Sequence, residues 1–352
     1  MRLSWDTATL ALRTTFATAH GASDTRENVV VRLEHGGAVG LGEAAGLHYH
    51  GESLAGIEAC LVQAAAVLRR LALDDLDAVL DRLPPGSAAA RAAVDMALHD
   101  LWGQARGEPL YRLFGLDPRR APSTSFTVGL DAPDRMGQRA REAAMPILKL
   151  KVGGPGRRDD DDEAALAAVR AAAPDAAIRI DANAGWSRDR AARLIARLAR
   201  YGIELVEQPL PVDDIEGLRW LGGRVDVPVF ADESARTADD VTRLRGAVDG
   251  VVVKLMKCGG LRAARAVIAA ARREGMSVML SCMIESSLAV TAAAHLAPLC
   301  DLVDLDGPLL IRDDPFRGLG YDGARLQLPE GPGLGVAERR AGQLLSSPHS
   351  IV

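Results

Sequence analysis

The chain has 352 residues, 48% of them apolar and only 4% aromatic, so it is long enough for a barrel plus an accessory domain whose core is filled mainly by Ala, Leu and Val. Its 42 basic and 47 acidic residues give a net charge of −5, which offers no electrostatic footprint for nucleic acid or for an acidic membrane surface. No stretch approaches the run of about 20 apolar residues that spans a bilayer, the N-terminus carries no apolar signal core, and Cys60, Cys258, Cys282 and Cys300 are scattered without a CxxC pair. A cytoplasmic location is therefore expected, with no disulfide framework and no zinc site.

In chain order, residues 29–34 and 39–43 read as two strands joined by the turn His35-Gly36-Gly37-Ala38. Two Ala-rich helices follow, over 56–70 and 87–106, and complete a small α+β domain. From about residue 124 the pattern changes to short apolar runs alternating with helical stretches. The runs are 125–128, 147–152, 178–180, 204–206, 229–231, 251–255, 278–280 and 302–305, and helices such as 163–172, 188–200, 238–244 and 261–273 fill the gaps. Strand–helix alternation predicts a parallel sheet covered by helices, and eight such units predict a closed barrel. A doubly wound sheet is less favoured, because no GxGxxG follows the first strand. The four acids 159–162 at a helix start read as a solvated first turn favoured by the helix dipole. The segment after Pro315 is rich in Gly and Pro and is expected to form short strands that return to the first domain.

Barrels do chemistry at the C-terminal ends of their strands. Here the second strand ends with Lys149 and Lys151, the third at Asp181, the fourth at Glu207, the fifth at Asp232 and the sixth at Lys254, while the eighth carries Asp304 and Asp306. Asp181 and Glu207 are 26 residues apart and Glu207 and Asp232 are 25 apart, about one strand–helix unit each, so the three carboxylates should converge at one level. Hard oxygen ligands without His or Cys suit magnesium. Lysines on the flanking strands would face each other across that ion and could act as general bases. Such a site suits removal of a proton next to a carboxylate, with the metal offsetting the charge of the resulting enediolate.

The strings Leu148-Lys149-Leu150-Lys151-Val152-Gly153, Asp181-Ala182-Asn183-Ala184-Gly185-Trp186, Val206-Glu207-Gln208-Pro209, Ala231-Asp232-Glu233-Ser234 and Lys254-Leu255-Met256-Lys257-Cys258-Gly259-Gly260 resemble the enolase superfamily, muconate-lactonizing subgroup. The pairing of a lysine base with magnesium is that superfamily's pattern. The resemblance implies a modified TIM barrel, (β/α)7β, with an α+β capping domain formed by the N-terminal region and the C-terminal tail. The expected divisions are 1–120, 121–314 and 315–352. It also implies Mg2+ held by Asp181, Glu207 and Asp232, acid/base roles for Lys151 and Lys254, and a substrate-carboxylate contact from Lys149. Lys257, beyond the strand end, is assigned a supporting role.

Within the subgroup, Asp304-Leu305-Asp306-Gly307-Pro308 resembles the Asp-x-Asp motif of dipeptide epimerases, whose two acids bind the free ammonium group. Ser281-Cys282-Met283-Ile284-Glu285-Ser286 resembles the epimerase string after the seventh strand, which implicates Cys282 and Ile284, and Thr127 matches a substrate-contacting threonine. The loop holding His20 and Gly21 and the loop 46–50 are expected to close over the substrate, with His48 and His50 as loop residues and not a second metal site. Epimerases of alanyl-glutamate carry an arginine in the first of these loops; Gly21 stands at that position here, with Arg26 nearby. The resemblance thus implies epimerisation of the C-terminal residue of a dipeptide by two-lysine 1,1-proton transfer. The expected partners are the small-molecule dipeptide and further copies of the chain in a homo-oligomer. The alternatives are o-succinylbenzoate synthase with N-acylamino-acid racemase activity, or a muconate-type cycloisomerase, and Asp304 and Asp306 argue against both.

Overall fold

The computed structural model describes residues 1–46, 51–154, 156–339 and the backbone of 349–350. The first domain is an antiparallel sheet of β1 (Arg2–Thr18), β2 (Gly21–His35) and β3 (Ala38–Ala45), backed by helices α1 (Leu54–Leu68), α2 (Leu76–Asp81) and α3 (Ala88–Arg106). The β2–β3 turn is where the sequence places it: His35 pairs with Ala38, and Gly36 and Gly37 take φ of 58° and 84°, the left-handed values a two-residue hairpin turn requires. The sheet is longer than expected. β1 and the first half of β2 pair from Arg2↔Glu34 out to Thr18↔Gly21, with an irregularity between Ala11 and Phe16. Leu3, Trp5, Ala8, Leu10 and Leu12 of β1 are buried, whereas residues 13–15 are exposed where the β1–β2 ribbon leaves the domain core.

Helix α3 starts at Ser87, whose side chain accepts from the Ala90 N–H, and ends at Gly107 in the left-handed conformation. It lies on β3 at the closest range two backbones allow. A Cβ on Gly40 would fall 2.1 Å from the Ala97 carbonyl oxygen, and one on Gly42 would fall 1.9 Å from that of Ala93. Glycine on the strand and alanine on the helix are thus two halves of one contact.

After a short α4 (Leu110–Leu113) the chain enters eight parallel strands: β4 (Phe126–Val128), β5 (Ile147–Lys151), β6 (Ala177–Asp181), β7 (Ile203–Glu207), β8 (Val229–Ala231), β9 (Gly250–Val253), β10 (Ser277–Ser281) and β11 (Leu302–Asp304). They pair strictly in sequence order. The sheet closes where Thr124 bridges to Val303 and the Ser125 N–H donates to the Val303 carbonyl at 3.2 Å. Between them run α5 (Pro133–Ala143), α6 (Asp159–Ala172), α7 (Arg188–Leu198), α8 (Ile215–Gly222), α9 (Ala238–Arg243), the pair α10 (Leu255–Cys258) and α11 (Leu261–Arg273), and α12 (Ser287–Ala294), with α13 (Gly307–Leu310) after the last strand. This is the (β/α)7β barrel. The expected strand at 251–255 stops at Val253, because Leu255 already opens α10.

Buried carboxylates of the first domain fasten it to the barrel. Asp95 on α3 accepts from the Leu261 N–H at 2.6 Å, at the N-terminus of α11, where the helix dipole favours an anion. Glu43 on β3 accepts from the Ser286 N–H at 3.0 Å and the Ala289 N–H at 3.3 Å, at the N-terminus of α12. The tail adds short strands β12 (Phe316–Arg317), β13 (Gly320–Asp322), β14 (Arg325–Gln327), β15 (Ala337–Glu338) and β16 (His349–Ser350), the last pairing with β1. Among the described residues no helix is long and apolar enough to cross a membrane, and the four cysteines are free thiols.

One expectation is corrected here. The acids 159–162 are not a uniformly solvated turn: Asp162 is fully buried, its two oxygens share the Gly153 N–H (3.1 and 3.0 Å), and it pairs with Arg157. It thereby anchors the loop that follows Lys151.

The α3–β3 contact gives a direct test. Gly42→Ala must push the helix off the sheet and should lower the thermal midpoint by more than about 5 °C, as overpacking of 1–3 kcal/mol implies. Val39→Ala, at an exposed position of the same strand, should change it by less than about 1 °C.

Candidate active site

The order of strands around the barrel decides the geometry of the site. β5 and β9 are four strands apart in a closed ring of eight, so Lys151 and Lys254, at their C-terminal ends, stand on opposite walls. The intervening strands β6, β7 and β8 present Asp181, Glu207 and Asp232 on the arc between them, and Asp181 lies directly beside Glu207 in the ladder. Lys149 and Lys151 alternate with core residues of β5, so both project into the barrel.

All three carboxylates are buried, and their oxygens come within 4.8 Å of one another. Lys151 Nζ is 2.5 Å from Asp181 Oδ2, and Lys254 Nζ is 2.7 Å from Asp232 Oδ2. Lys257 grips the other oxygen of Asp232 at 2.5 Å and also donates to the carbonyls of Val252 and Ala235 at 3.0 and 3.1 Å. Its supporting role is therefore to fix the Asp232 carboxylate. Burial alone would push the Asp181 carboxyl up, but Lys151 and Lys149 outweigh it and hold it at about 2. Burial is likewise overcome at Asp232 by Lys254 and Lys257, which hold it well below the ordinary range.

Glu207 behaves differently. Burial, then the charge of Asp181, pushes its carboxyl well above the ordinary range, against the pull of Lys149. Lys149 Nζ lies 2.7 Å from Glu207 Oε2, yet neither oxygen of Glu207 has a partner in hydrogen-bonding direction among the described residues. A buried carboxylate left this way is costly unless a cation faces it. The set of three hard oxygen donors, one of them orphaned, fits a divalent ion such as Mg2+.

Asp304 and Asp306 both line the cavity but have different surroundings. Asp304 accepts from Ser125 Oγ at 2.7 Å, Ser281 Oγ at 2.8 Å and Lys149 Nζ at 2.7 Å, and Lys149 offsets its burial and holds its carboxyl far below the usual range. Asp306 accepts from the Thr127 N–H at 2.6 Å and has no lysine of its own; burial, then the charge of Asp304, pushes it up to about 7. Lys149, despite its own burial, is held well above the ordinary lysine range by Asp304, Glu207 and Asp181. It is a fixed cation.

Above these groups lies a cavity of about 660 Å³, of a size that suits a small-molecule ligand. Its floor is Thr127, Lys149, Lys151, Lys254, Asp304 and Asp306. Cys282 and Ile284 form part of the wall, and the β1–β2 ribbon brings His20, Gly21 and Arg26 over it. His20 Nε2 stands 3.8 Å from Glu233 Oε1. Gly21 has open space where a side chain would be, and its φ is 133°. His48 and His50 fall outside the described residues.

Comparison with known proteins agrees with this architecture. Residues 6–115 match the N-terminal domain of mandelate racemase / muconate lactonizing enzyme, and residues 132–341 match the family described as enolase C-terminal domain-like. The chain belongs to the mandelate racemase / muconate lactonizing enzyme family. It is 38% identical over 341 residues to the L-Ala-D/L-Glu epimerase of Bacteroides thetaiotaomicron, covering 96% of this chain and 88% of that one. A substrate-liganded complex of the L-Ala-D/L-Glu epimerase from Bacillus subtilis superposes with a TM-score of 0.91 at 34% identity, over 96% and 98% of the two chains. The dipeptide epimerase from Cytophaga hutchinsonii, complexed with Mg and D-Ala-L-Val, superposes at 0.93 with 29% identity, over 98% of both.

Around the family's strand-end residues the structure shows supports that the sequence reading passed over. Gln208 Oε1 accepts from the N–H of Asp232 at 2.9 Å and of Ser234 at 3.2 Å. Asn183 donates to Asp181 from its backbone at 2.9 Å and joins it to Glu233 at 3.2 Å. Gln208, Asn183 and Ala184 all have positive φ (35°, 44° and 61°), so the rim next to two of the carboxylates is strained backbone held by these bonds. Asn two residues after the strand-end Asp181 was an available signal, since Asn tolerates that region. Ser125 opens one apolar run and Ser281 follows another, both in plain view.

The raised Asp306 carboxyl has a consequence for stability. An acid whose folded pKa lies near 7, above its ordinary 3.8, is protonated in the folded state while the unfolded chain has already lost the proton. Its contribution to stability is present at low pH and is lost as pH rises from about 4 through about 7. Asp306→Asn should therefore raise the thermal midpoint of the metal-free protein by at least about 3 °C at pH 8, with the gain shrinking toward pH 5. Paired thermal melts at the two pH values measure it.

Proposed function

We propose that the chain is a magnesium-dependent dipeptide epimerase that inverts the α-carbon of the C-terminal residue. The observation that carries this reading is the pair of lysines on opposite walls of a carboxylate-lined mouth, with the Asp306 carboxylate facing the same cavity. The relatives named above are epimerases, and the Cytophaga hutchinsonii protein was crystallised with Mg and a dipeptide.

Asp181, Glu207 and Asp232 would hold Mg2+, which supplies positive charge at the substrate carboxylate. Lys149, flanked by Asp304, Glu207 and Asp181, orients that carboxylate as a cation. Lys151 removes the α-proton from one face and Lys254 delivers a proton to the other, and for the opposite epimer the roles exchange. The intermediate between the two transfers is an enediolate. The dipeptide's ammonium group is assigned to Asp306, beside Thr127, with Asp304 behind it and already compensated by Lys149, Ser125 and Ser281. His20, Gly21, Cys282 and Ile284 complete the enclosure.

The two-base assignment is tested by α-proton exchange in deuterated water. Lys151→Ala should lose exchange with one epimer and Lys254→Ala with the other, each by at least about 100-fold, as expected for loss of a general base. Chelation should stop both. Epimerisation at a near wild-type rate by either variant would refute the mechanism.

The substrate class is tested at the other end of the cavity. An acylated amino acid offers no cation to Asp306 and forfeits the charge-assisted hydrogen bond that a free ammonium group makes there; such a bond is worth up to about 3 kcal/mol, roughly a hundredfold. N-acetylation of a good dipeptide substrate should lower kcat/KM by at least about that factor, and Asp306→Asn should harm the free dipeptide far more than its acetylated analogue. Equal activity on free dipeptides and N-acyl amino acids would favour the racemase alternative.

A further inference from the structure

The cavity wall beside Asp306 is apolar and is built by both domains. Phe16 on β1, Ile284 after β10 and Leu310 at the end of α13 all line the cavity. The same three belong to a small hydrophobic cluster separate from the main core, with Leu10, Leu12 and Ile311 behind them. The Leu12–Ile311 bridge and a 2.7 Å bond from the Arg312 N–H to the Ala11 carbonyl join the two backbones there.

Each of the three is tied to the neighbourhood of Asp306. Leu310 ends the short helix that Asp306 opens. The residues on either side of Ile284 press on Gly307, where a Cβ would lie 2.9 Å from the Glu285 carbonyl oxygen and 3.2 Å from that of Met283. The Phe16 ring would be 3.5 Å from a Cβ on Gly129, two residues beyond Thr127, whose N–H binds Asp306. The wall is also stiff. The Ile284 carbonyl accepts from Asn28 Nδ2 at 3.0 Å, Asn28 also donates to Glu43 at 2.7 Å, and Glu43 holds the Ser286 N–H, so the first domain clamps this loop from behind.

An α-ammonium group and its own side chain share one carbon atom. A residue whose nitrogen sits on Asp306 must therefore place its side chain in this immediate neighbourhood. From this we propose that Phe16, Ile284 and Leu310 form a subsite for the N-terminal side chain of the dipeptide, and that the subsite selects apolar N-terminal residues, branched aliphatic ones included. The inference rests on the dipeptide reading above and adds to it which residue is selected and by what.

The test uses the magnesium-loaded full-length protein and dipeptides with an invariant C-terminal L-Ala, read by deuterium uptake at its α-carbon. N-terminal Val is compared with Thr, and Leu with Asn, pairs matched in shape but not in polarity. Val should exceed Thr in kcat/KM by roughly tenfold to a hundredfold, the range over which an apolar pocket rejects an added hydroxyl. Leu should exceed Asn by at least as much. Ile284→Thr and Leu310→Gln should each pull the Val/Thr ratio toward unity, a ratio within one protein that does not depend on how much of the variant folds. Equal rates for each pair in the wild type, or a wild-type preference that neither variant alters, would overturn the proposal. Exchange of N-acyl amino acids with none of the four dipeptides would instead bring down the dipeptide reading, and this subsite with it.

Discussion

The compensation of buried charge at the barrel mouth is the constraint on which the rest of the structure depends. Asp181, Glu207, Asp232, Asp304 and Asp306 are all buried there, together with Lys149, Lys151, Lys254 and Lys257. The buried acids outnumber the lysines in a medium that solvates charge poorly. The deficit is localised and not shared: Asp181, Asp232 and Asp304 are held ionised by lysines, whereas Glu207 and Asp306 are pushed toward protonation. The two under-compensated acids mark the two places where a cation from outside is best received. One faces the carboxylate cluster and the other faces the far end of the cavity.

Holding these charges in place costs backbone strain, which the surroundings absorb. Positive φ at Asn183 and Gln208 lies within two residues of the ends of β6 and β7, and the Asn183 N–H and the Gln208 side chain make bonds that hold the Asp181 carboxylate and the Asp232 backbone. The first domain contributes in the same currency. Glu43 and Asp95 spend buried carboxylates on the N-termini of α12 and α11, so helices of the barrel are fixed by anions from another domain. The loop after β10 and the turn after Lys254 are thus positioned from both sides.

The strand-end residues were legible in the sequence because a parallel barrel sets its functional groups one strand–helix unit apart, and charge at the end of an apolar run stands out. Lys149, Lys151, Asp181, Glu207, Asp232 and Lys254 all sit where that rhythm puts them. What escaped was of another kind. β1 does not stand out in the sequence, because Leu10-Ala11-Leu12 is too short an apolar run to mark a strand and residues 13–18 are mostly polar. Asp162 looked like one solvated acid among four; only the fold shows Gly153 turned toward it. Asn28 could not be matched to Ile284, nor Glu43 to Ser286, from sequence at all, since the contacts span about 250 residues and join two domains. That Asp304 belongs to Lys149 while Asp306 does not is likewise a property of three-dimensional packing, invisible in an Asp-x-Asp string.

The β1–β2 ribbon separates the cost of a mutation to folding from its effect on the cavity. Its outer residues, from about 13 to 27, are largely solvent-facing and carry little of the hydrophobic core, yet several of them form the ceiling of the cavity. Mutations there are cheap for folding and consequential for what the cavity admits. The lysines proposed to move protons sit at strand ends whose charges are mutually compensated, so a change at one of them unbalances its neighbours. The ribbon can thus be rewritten to change what the cavity admits without touching the strand-end residues beneath it.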